Sequence, residues 1–147
     1  AAQDAMLTLH VTATDRLMRA ALPGMIARRD GALVVVSSVS AFTISAYNVN
    51  YSATKAYQKS YVESLSLELE GTGVQAQALC PGFTRTEFHA RAHMKMGSIP
   101  AWAWLDVKDV VRASLAALDQ RGPVVVVPKF RWRVIVWLLR HLPRGLM

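Results

Sequence analysis

The polar and apolar positions along the chain predict four helices. Apolar residues recur at helical spacing from about residue 4 to 27, where Pro23 is expected to bend the helix or end its regular part. Good helix formers run from residue 51 to about residue 70. Asp106 can cap a third helix that runs to about residue 120, and a last helix is expected over 130–142.

Three short apolar runs lie between these helices and predict strands. They cover residues 33–36, 74–80 and 124–127, and their β-branched composition is typical of strands buried on both faces. Strands that alternate with helices predict an α/β fold with a parallel sheet and right-handed crossovers. The segment 83–105 fits neither pattern and is expected to form a lid or a pocket loop.

Length and composition indicate one folded domain, since 52% of the 147 residues are hydrophobic and only 18% are charged. Cys80 is the single cysteine, so an intramolecular disulfide is excluded and a cytoplasmic protein is expected. The apolar run at 134–139 is far too short to predict a transmembrane helix. The sequence begins without an initiator Met, and we expect it to be a piece of a longer protein.

The net charge of +7 is spread along the chain without an aromatic-interleaved motif, which favours a solvated surface over nucleic-acid binding. The exception is the tail at 129–147, which we separate from the domain at 1–128 as a basic amphipathic helix. Trp132, Trp137 and the tail arginines are typical of a helix at a membrane interface. Weak contact of residues 130–142 with anionic lipid is expected, and packing on another domain or subunit is the alternative.

The candidate chemistry begins with Tyr51 and Lys55, which lie four residues apart on one face of a helix. A lysine cation near a tyrosine hydroxyl favours the phenolate, so we expect Lys55 to lower the pKa of Tyr51. Ser38 follows the first strand, and the segment 81–86 follows the second. In open parallel sheets the ligand crevice lies at those strand ends, so these residues can face one site.

These residues resemble the short-chain dehydrogenases/reductases, which are Rossmann-fold enzymes that use NAD(H) or NADP(H). The resemblance rests on Ser38, the Y-x-x-x-K motif at Tyr51 and Lys55, and the P-G-x-x-x-T motif at 81–86, all in the family's order and spacing. It covers most of the chain from about residue 4 to 127. It implies the C-terminal part of a Rossmann-like, doubly wound parallel sheet, and a homodimer or tetramer formed by the helices at 4–27 and 51–70.

The resemblance also implies a role for each residue. Tyr51 is expected to act as the general acid/base at a carbonyl or alcohol oxygen that Ser38 holds by a hydrogen bond. Lys55 is expected to lower the pKa of Tyr51 and to bind the nicotinamide ribose. The remaining contacts to NAD or NADP are expected from the turn at 81–86, namely from Pro81, Gly82, Phe83 and Thr86. The substrate class is an alcohol or carbonyl compound, with hydrophobic substrates favoured.

Two departures from the family pattern limit what the chain can do alone. Its glycine-rich phosphate turn, T-G-x-x-x-G-x-G, and its N-N-A-G stretch are not in this sequence. The corresponding units need roughly 90 residues, and without them we expect poor cofactor binding and no turnover. His10 stands where the family usually has an Asn whose backbone positions a water near the lysine, which puts the proton relay in question.

Several residues have simpler explanations. Ser37, Ser40, Ser45 and Ser52 are expected to be loop-capping groups. His89 and His93 lie four apart, but no third ligand is evident, so we predict no metal site. Trp102 and Trp104 either line a substrate pocket or close the core. The alternative to an enzyme is a non-catalytic interaction or scaffold module on the same fold, which an upstream sequence without the glycine-rich turn would favour.

Overall fold

The computed structural model describes residues 2–44, 46, 48–87 and 99–141. The strands are β1 (Gly31–Val36), β2 (Val74–Leu79) and β3 (Val125–Val126). Short helical turns lie at Thr8–Ala13, where the helix is of the π type, and at Val39–Phe42 and Ala101–Ala103, which are 3₁₀ helices. The α-helices are α1 (Ala2–Leu7), α2 (Thr14–Arg28), α3 (Val49–Glu68), α4 (Val107–Asp119) and α5 (Phe130–His141).

The strands form one parallel sheet in the order β1–β2–β3, which confirms the predicted fold class. β1 and β2 pair in register from Gly31 and Val74 at one end to Val36 and Leu79 at the other. Helix α3 connects β1 to β2, and α4 connects β2 to β3. Because parallel strands end at the same edge of a sheet, the residues that follow Val36 and Leu79 come together.

Two core clusters flank the sheet. The first joins α2, α3, β1 and β2, and its buried members are Met18, Val35, Val62, Leu65, Leu69, Val74, Ala76, Ala78 and Cys80. The second lies where α4, α5 and the loop before α4 meet the sheet, and its buried members are Leu79, Ala103, Leu105, Val110, Val126 and Trp132. β2 contributes buried residues to both clusters and is covered on both of its faces.

β1 is covered on one face only, so the prediction that it is buried on both faces was wrong. Val35 is buried in the first cluster, whereas Val34 is 40% exposed and Val36 is 56% exposed. These side chains alternate because successive residues of a strand point to opposite faces of the sheet. The apolar run correctly indicated a strand. It did not indicate whether the described part of the chain covers one face of that strand or both.

The first predicted helix is real, but its shape differs from the prediction at two places. Pro23 lies inside α2, which continues to Arg28, so of the two alternatives expected for Pro23, a bend or an end, the end was wrong. The helix changes instead at Thr8–Ala13, where it widens into a π-helical turn. A π turn replaces the hydrogen bonds of the α-helix with wider ones, and the directions of nearby carbonyl groups change with them. As described below, the carbonyl of His10 in this turn accepts a hydrogen bond from α3.

Asp106 caps α4 as predicted, since its side chain accepts a hydrogen bond from the backbone N–H of Lys108 at 2.7 Å. The loop before this helix is anchored at both ends. Thr84 and Leu105 form an isolated parallel bridge, and Leu105 is almost fully buried. The expected lid at 83–105 falls partly on residues 88–98, which lie outside the described residues, as do His89, His93 and Ser45.

Helix α5 packs against the end of β2 through Trp132. This side chain is only 5% exposed, and its indole Nε1 donates to the carbonyl of Ala103 at 3.2 Å. The ring lies so close to Gly82 that a Cβ there would collide with the indole. The expectation that Trp132 contacts lipid was therefore wrong, whereas Trp137 is 59% exposed. None of the helices in the described ranges is long and apolar enough to cross a membrane.

Candidate active site

The candidate site lies where β1 and β2 end and α3 begins. Two backbone hydrogen bonds join the segments that follow the strands. The N–H of Ser37 donates to the carbonyl of Leu79 at 2.8 Å, and the N–H of Val39 donates to the carbonyl of Pro81 at 3.1 Å. Tyr51 is on the first turn of α3, and Lys55 follows it one turn later. The structure thus brings together the residues that the sequence placed at one sheet edge.

Ser38 caps the 3₁₀ turn that leads toward α3. Its Oγ accepts a hydrogen bond from the backbone N–H of Ser40 at 3.1 Å. The same side chain lies close enough to Tyr51 to favour its phenolate. Ser38 is buried, so its hydroxyl is held by local structure before any ligand is present. Of the two neighbouring serines, Ser38 is the one that acts on Tyr51, whereas Ser37 bonds to the backbone of α3.

Tyr51 has a pKa above the ordinary value of 10.0, because burial disfavours the phenolate more than the Ser38 hydrogen bond stabilises it. The prediction of a Tyr51 pKa below its ordinary value is therefore wrong. The Lys55 Nζ lies 5.7 Å from the centroid of the Tyr51 ring. Tyr51 is consequently a protonated phenol at neutral pH and can donate a proton.

Lys55 is buried, and neutral oxygen atoms hold its ammonium group. Its Nζ donates to the backbone carbonyl of Val36 at 2.8 Å and to Oε1 of Gln58 at 3.0 Å. Burial lowers the pKa of Lys55 to about 8, and interaction with Cys80 opposes this shift in part. The hydroxyl of Ser37 donates to the backbone carbonyl of Lys55 at 2.8 Å, which fixes this turn of α3 against the end of β1.

His10 lies beside Tyr51, and its ring centroid is 5.9 Å from that of the tyrosine in an edge-on arrangement. The hydroxyl of Thr54 lies 2.9 Å from the backbone carbonyl of Tyr51 and shares a hydrogen bond with Nδ1 of His10 at 3.0 Å. Burial, followed by the charge of Lys55, lowers the pKa of His10 below its ordinary value of 6.5. At neutral pH His10 is therefore uncharged.

The turn after β2 forms the other side of the site. The Thr84 hydroxyl donates to the carbonyl of Gly82 at 3.0 Å, and the Phe83 ring packs at 5.8 Å from Trp132 and 6.0 Å from Trp104. Trp104 is thus packed into this aromatic group, whereas Trp102 is exposed. Thr86 lies two residues beyond Thr84 and is exposed. The turn is partly buried from 81 to 84 and exposed from 85 to 87.

Sequence reasoning missed Ser37, Thr54 and Gln58, each of which touches the site. Ser37 is not the loop cap that the sequence predicts, because it is buried and hydrogen-bonded to α3. Thr54 and Gln58 are polar residues on the inward side of α3, and both are buried. A signal was available for Gln58, since it lies three residues after Lys55 and seven after Tyr51, on the same helix face. Within the described ranges, no three His, Cys, Asp or Glu residues form a group that could hold a metal ion.

Comparison with known proteins agrees with this geometry. The sequence model of the short chain dehydrogenase family matches residues 1–96. An uncharacterized oxidoreductase of Staphylococcus aureus is 32% identical over 123 residues, which cover 84% of this chain and 51% of the relative. A short chain dehydrogenase of Pseudocercospora fijiensis is 45% identical over 82 residues, which cover 56% of this chain and 26% of that protein.

Two solved structures superpose on nearly the whole chain. One is a short-chain dehydrogenase from Sphingobium yanoikuyae in complex with NADPH, with a TM-score of 0.77 and 31% identity over 95% of this chain and 56% of that one. The other, from Burkholderia cenocepacia in complex with NADP, gives a TM-score of 0.78 and 26% identity over 99% of this chain and 57% of that one. The chain spans about half the length of these proteins, and their shared sheet is the Rossmann type that was predicted.

Proposed function

The chain belongs to the short-chain dehydrogenase family, and we propose that its protein interconverts an alcohol and a carbonyl compound with NAD or NADP. The observation that carries this proposal is the meeting of Ser38, Tyr51 and Lys55 at one sheet edge, where Ser38 acts on the Tyr51 phenol and the Lys55 Nζ lies 5.7 Å from the centroid of the Tyr51 ring. An acid/base group, a hydroxyl that can hold an oxygen and a buried cation are what this chemistry requires from the protein.

The proposed mechanism assigns proton transfer to Tyr51. In the reduction direction, its phenol donates a proton to the carbonyl oxygen while Ser38 holds that oxygen by a hydrogen bond. In the oxidation direction, the phenolate takes the proton of the alcohol. The raised pKa of Tyr51 means that the protonated form dominates at neutral pH, which suits donation to a carbonyl. When bound, the nicotinamide supplies or accepts the hydride.

The residues present fit the nicotinamide end of such a cofactor. Val36 and Gln58 accept hydrogen bonds from two of the three N–H groups of Lys55, which supports a ribose hydroxyl as the acceptor for the third. We assign the remaining contacts to Tyr51 and to the turn at 81–86, through Pro81, Gly82, Phe83 and Thr86. The solved relatives that bind NADPH or NADP support this cofactor class. In the family pattern the phosphates and the adenosine end are held near the glycine-rich turn, which is not in this sequence.

A hydrophobic substrate is proposed for this site. The aromatic rings of Phe83, Trp104 and Trp132 pack together beside the turn after β2, and Phe83 and Trp104 are partly exposed. Partly exposed aromatic rings next to a polar reaction centre suit a substrate with an apolar body and one reactive oxygen. Because Trp102 is 58% exposed, it is a further candidate for substrate contact rather than a core residue.

Replacing Tyr51 by Phe tests the catalytic assignment. In the natural full-length protein, Tyr51→Phe is expected to reduce turnover by at least about 100-fold, since it removes the proton that is transferred. The dissociation constant of the cofactor is expected to change little, because the aromatic ring remains. Tyr57→Phe is the matched control: Tyr57 is on the same helix, outside the site, and its loss of a hydroxyl is expected to leave turnover unchanged. Near-normal turnover in Tyr51→Phe would contradict the assignment.

We also propose that α5 rests on an anionic membrane surface. Trp132 and Val136 are buried against the domain, whereas Phe130, Val134, Trp137 and Leu138 are exposed on the opposite side of the helix. Their spacing places them in one apolar stripe. Exposed arginines flank this stripe, namely Arg131, Arg133 and Arg140, and α5 contains no acidic residue. An apolar stripe bordered by cations suits the boundary between lipid headgroups and acyl chains.

Vesicle sedimentation tests this surface. The full-length protein is expected to bind phosphatidylcholine vesicles that contain phosphatidylserine, and to bind them less as salt is added. Trp137→Ser is expected to weaken binding about tenfold, since it removes a large apolar contact. Leu115→Ser is the control, because Leu115 is similarly exposed on α4. Equal weakening by the two variants, or no preference for phosphatidylserine, would contradict the proposal.

The homodimer or tetramer implied by the family stays a prediction. The two helices expected to pair carry exposed apolar side chains, such as Leu17 at 71% and Leu67 at 69% exposure. Such side chains on neighbouring helices suit a two-fold interface. Light scattering at micromolar concentration is expected to show a dimer or tetramer of the full-length protein, and a monomer would count against this assembly.

A further inference from the structure

The amide of Gln58 lies between Lys55 and the π-helical turn before α2. Its Oε1 accepts from Lys55 Nζ at 3.0 Å, and its Nε2 donates to the backbone carbonyl of His10 at 2.9 Å and to Oγ1 of Thr14 at 3.3 Å. Gln58 is only 4% exposed. A buried glutamine therefore links the lysine of the site directly to a helix that is more than forty residues away in sequence.

Hydrogen-bonding chemistry allows this amide one orientation. An ammonium group can only donate, so the group that faces Lys55 must be the oxygen of Gln58. A backbone carbonyl can only accept, so the group that faces His10 must be the nitrogen. The Thr14 hydroxyl is satisfied as well, because it donates to the carbonyl of Leu9 at 3.3 Å. The amide is thus specified from both sides and cannot rotate without losing its contacts.

The surroundings of Lys55 show why this contact matters. The titratable side chains that act on it within the described residues are His10, Tyr51 and Cys80. Each is uncharged at neutral pH, since burial lowers the pKa of His10 and raises the pKa values of Tyr51 and Cys80. The ammonium is therefore stabilised by neutral oxygens. The Val36 carbonyl belongs to the backbone, so a substitution does not remove it. The side-chain oxygen of Gln58 is the acceptor that a substitution can remove.

We propose that Gln58 is a positioning residue that holds the ammonium of Lys55 in place and charged beside Tyr51. The family pattern implies a water near this lysine, positioned by the backbone at the His10 position. In this chain the side chain of Gln58 makes the link from the His10 carbonyl to Lys55. The role in catalysis rests on the proposed function above, whereas the effect on Lys55 itself does not.

The first test measures the protonation of Lys55 without substrate or cofactor. Lysine labelled with ¹³C at Cε reports protonation by NMR, and the Lys55 signal is assigned by its loss in Lys55→Met. Gln58→Met keeps the volume but removes the acceptor, so the pKa of Lys55 is expected to fall by about one unit from the wild-type value. Gln58→Glu places a carboxylate at the same position, so that pKa is expected to rise by about one unit or more.

Gln77 offers a matched control. It is also buried, and it makes its hydrogen bonds with Ser114 on α4 rather than with Lys55. Gln77→Met therefore removes a buried glutamine of the same kind, and it is expected to leave the pKa of Lys55 unchanged. If Gln58→Met does not fold, Gln58→Glu still tests the proposal. A Lys55 pKa that does not rise in Gln58→Glu, or one that falls equally in Gln77→Met, would overturn it.

The second test connects this effect with activity. The loss of carbonyl reduction at alkaline pH is expected to move to lower pH in Gln58→Met and to higher pH in Gln58→Glu, with the KM of the substrate within about twofold of wild type. If the wild type turns over but the pH profiles of the two variants do not shift in these directions, the positioning role of Gln58 is overturned and the proposed function is not. If neither the wild type nor any variant turns over, but the pKa of Lys55 still falls in Gln58→Met and rises in Gln58→Glu, the proposed function is contradicted. The effect of Gln58 on Lys55 is then still supported.

Discussion

A buried ammonium group at the carboxyl end of β1 is the constraint on which the rest of the site depends. Burying a charged amine is unfavourable unless oxygen atoms are placed to receive its protons. The last carbonyl of β1, at Val36, supplies one such atom, and Gln58 supplies another. Both must be in position at once. Strand β1, helix α3 and the π-helical turn therefore have to meet at one point, and the positions of Ser38 and Tyr51 follow from that meeting.

The protonation states of the site follow from the same burial. Desolvation raises the pKa of Tyr51 and lowers the pKa values of Lys55 and His10, so each shift favours the uncharged form of its group. Tyr51 is left as a phenol that can give up a proton, and Lys55 as a cation close to its titration range. Of these three groups, Lys55 is the one whose pKa is moved toward neutral pH, so its charge is the most sensitive to a polar ligand that enters the site.

The sequence revealed the parts of the structure that depend on spacing. The three strands, the α/β class and the grouping of Ser38, Tyr51 and Lys55 all follow from residues at fixed separations along the chain. It did not reveal contacts between distant segments. The link from Gln58 to His10 and the burial of Trp132 against Gly82 arise from tertiary packing, which no local pattern encodes. The exposed face of β1 was missed for a related reason, because an apolar run does not show what covers it.

The most direct test of the central claim is the pH dependence of stability in the wild type and in Lys55→Met. If Lys55 is buried with a folded-state pKa of about 8, the unfolded chain binds more protons than the folded one between that pH and about 10.5. The free energy of unfolding of the wild type, relative to Lys55→Met, is therefore expected to rise by about 2 kcal/mol from pH 7 to pH 10 in urea titrations. A difference that stays constant or falls over this range would contradict the claim that a buried, charged Lys55 organises the site.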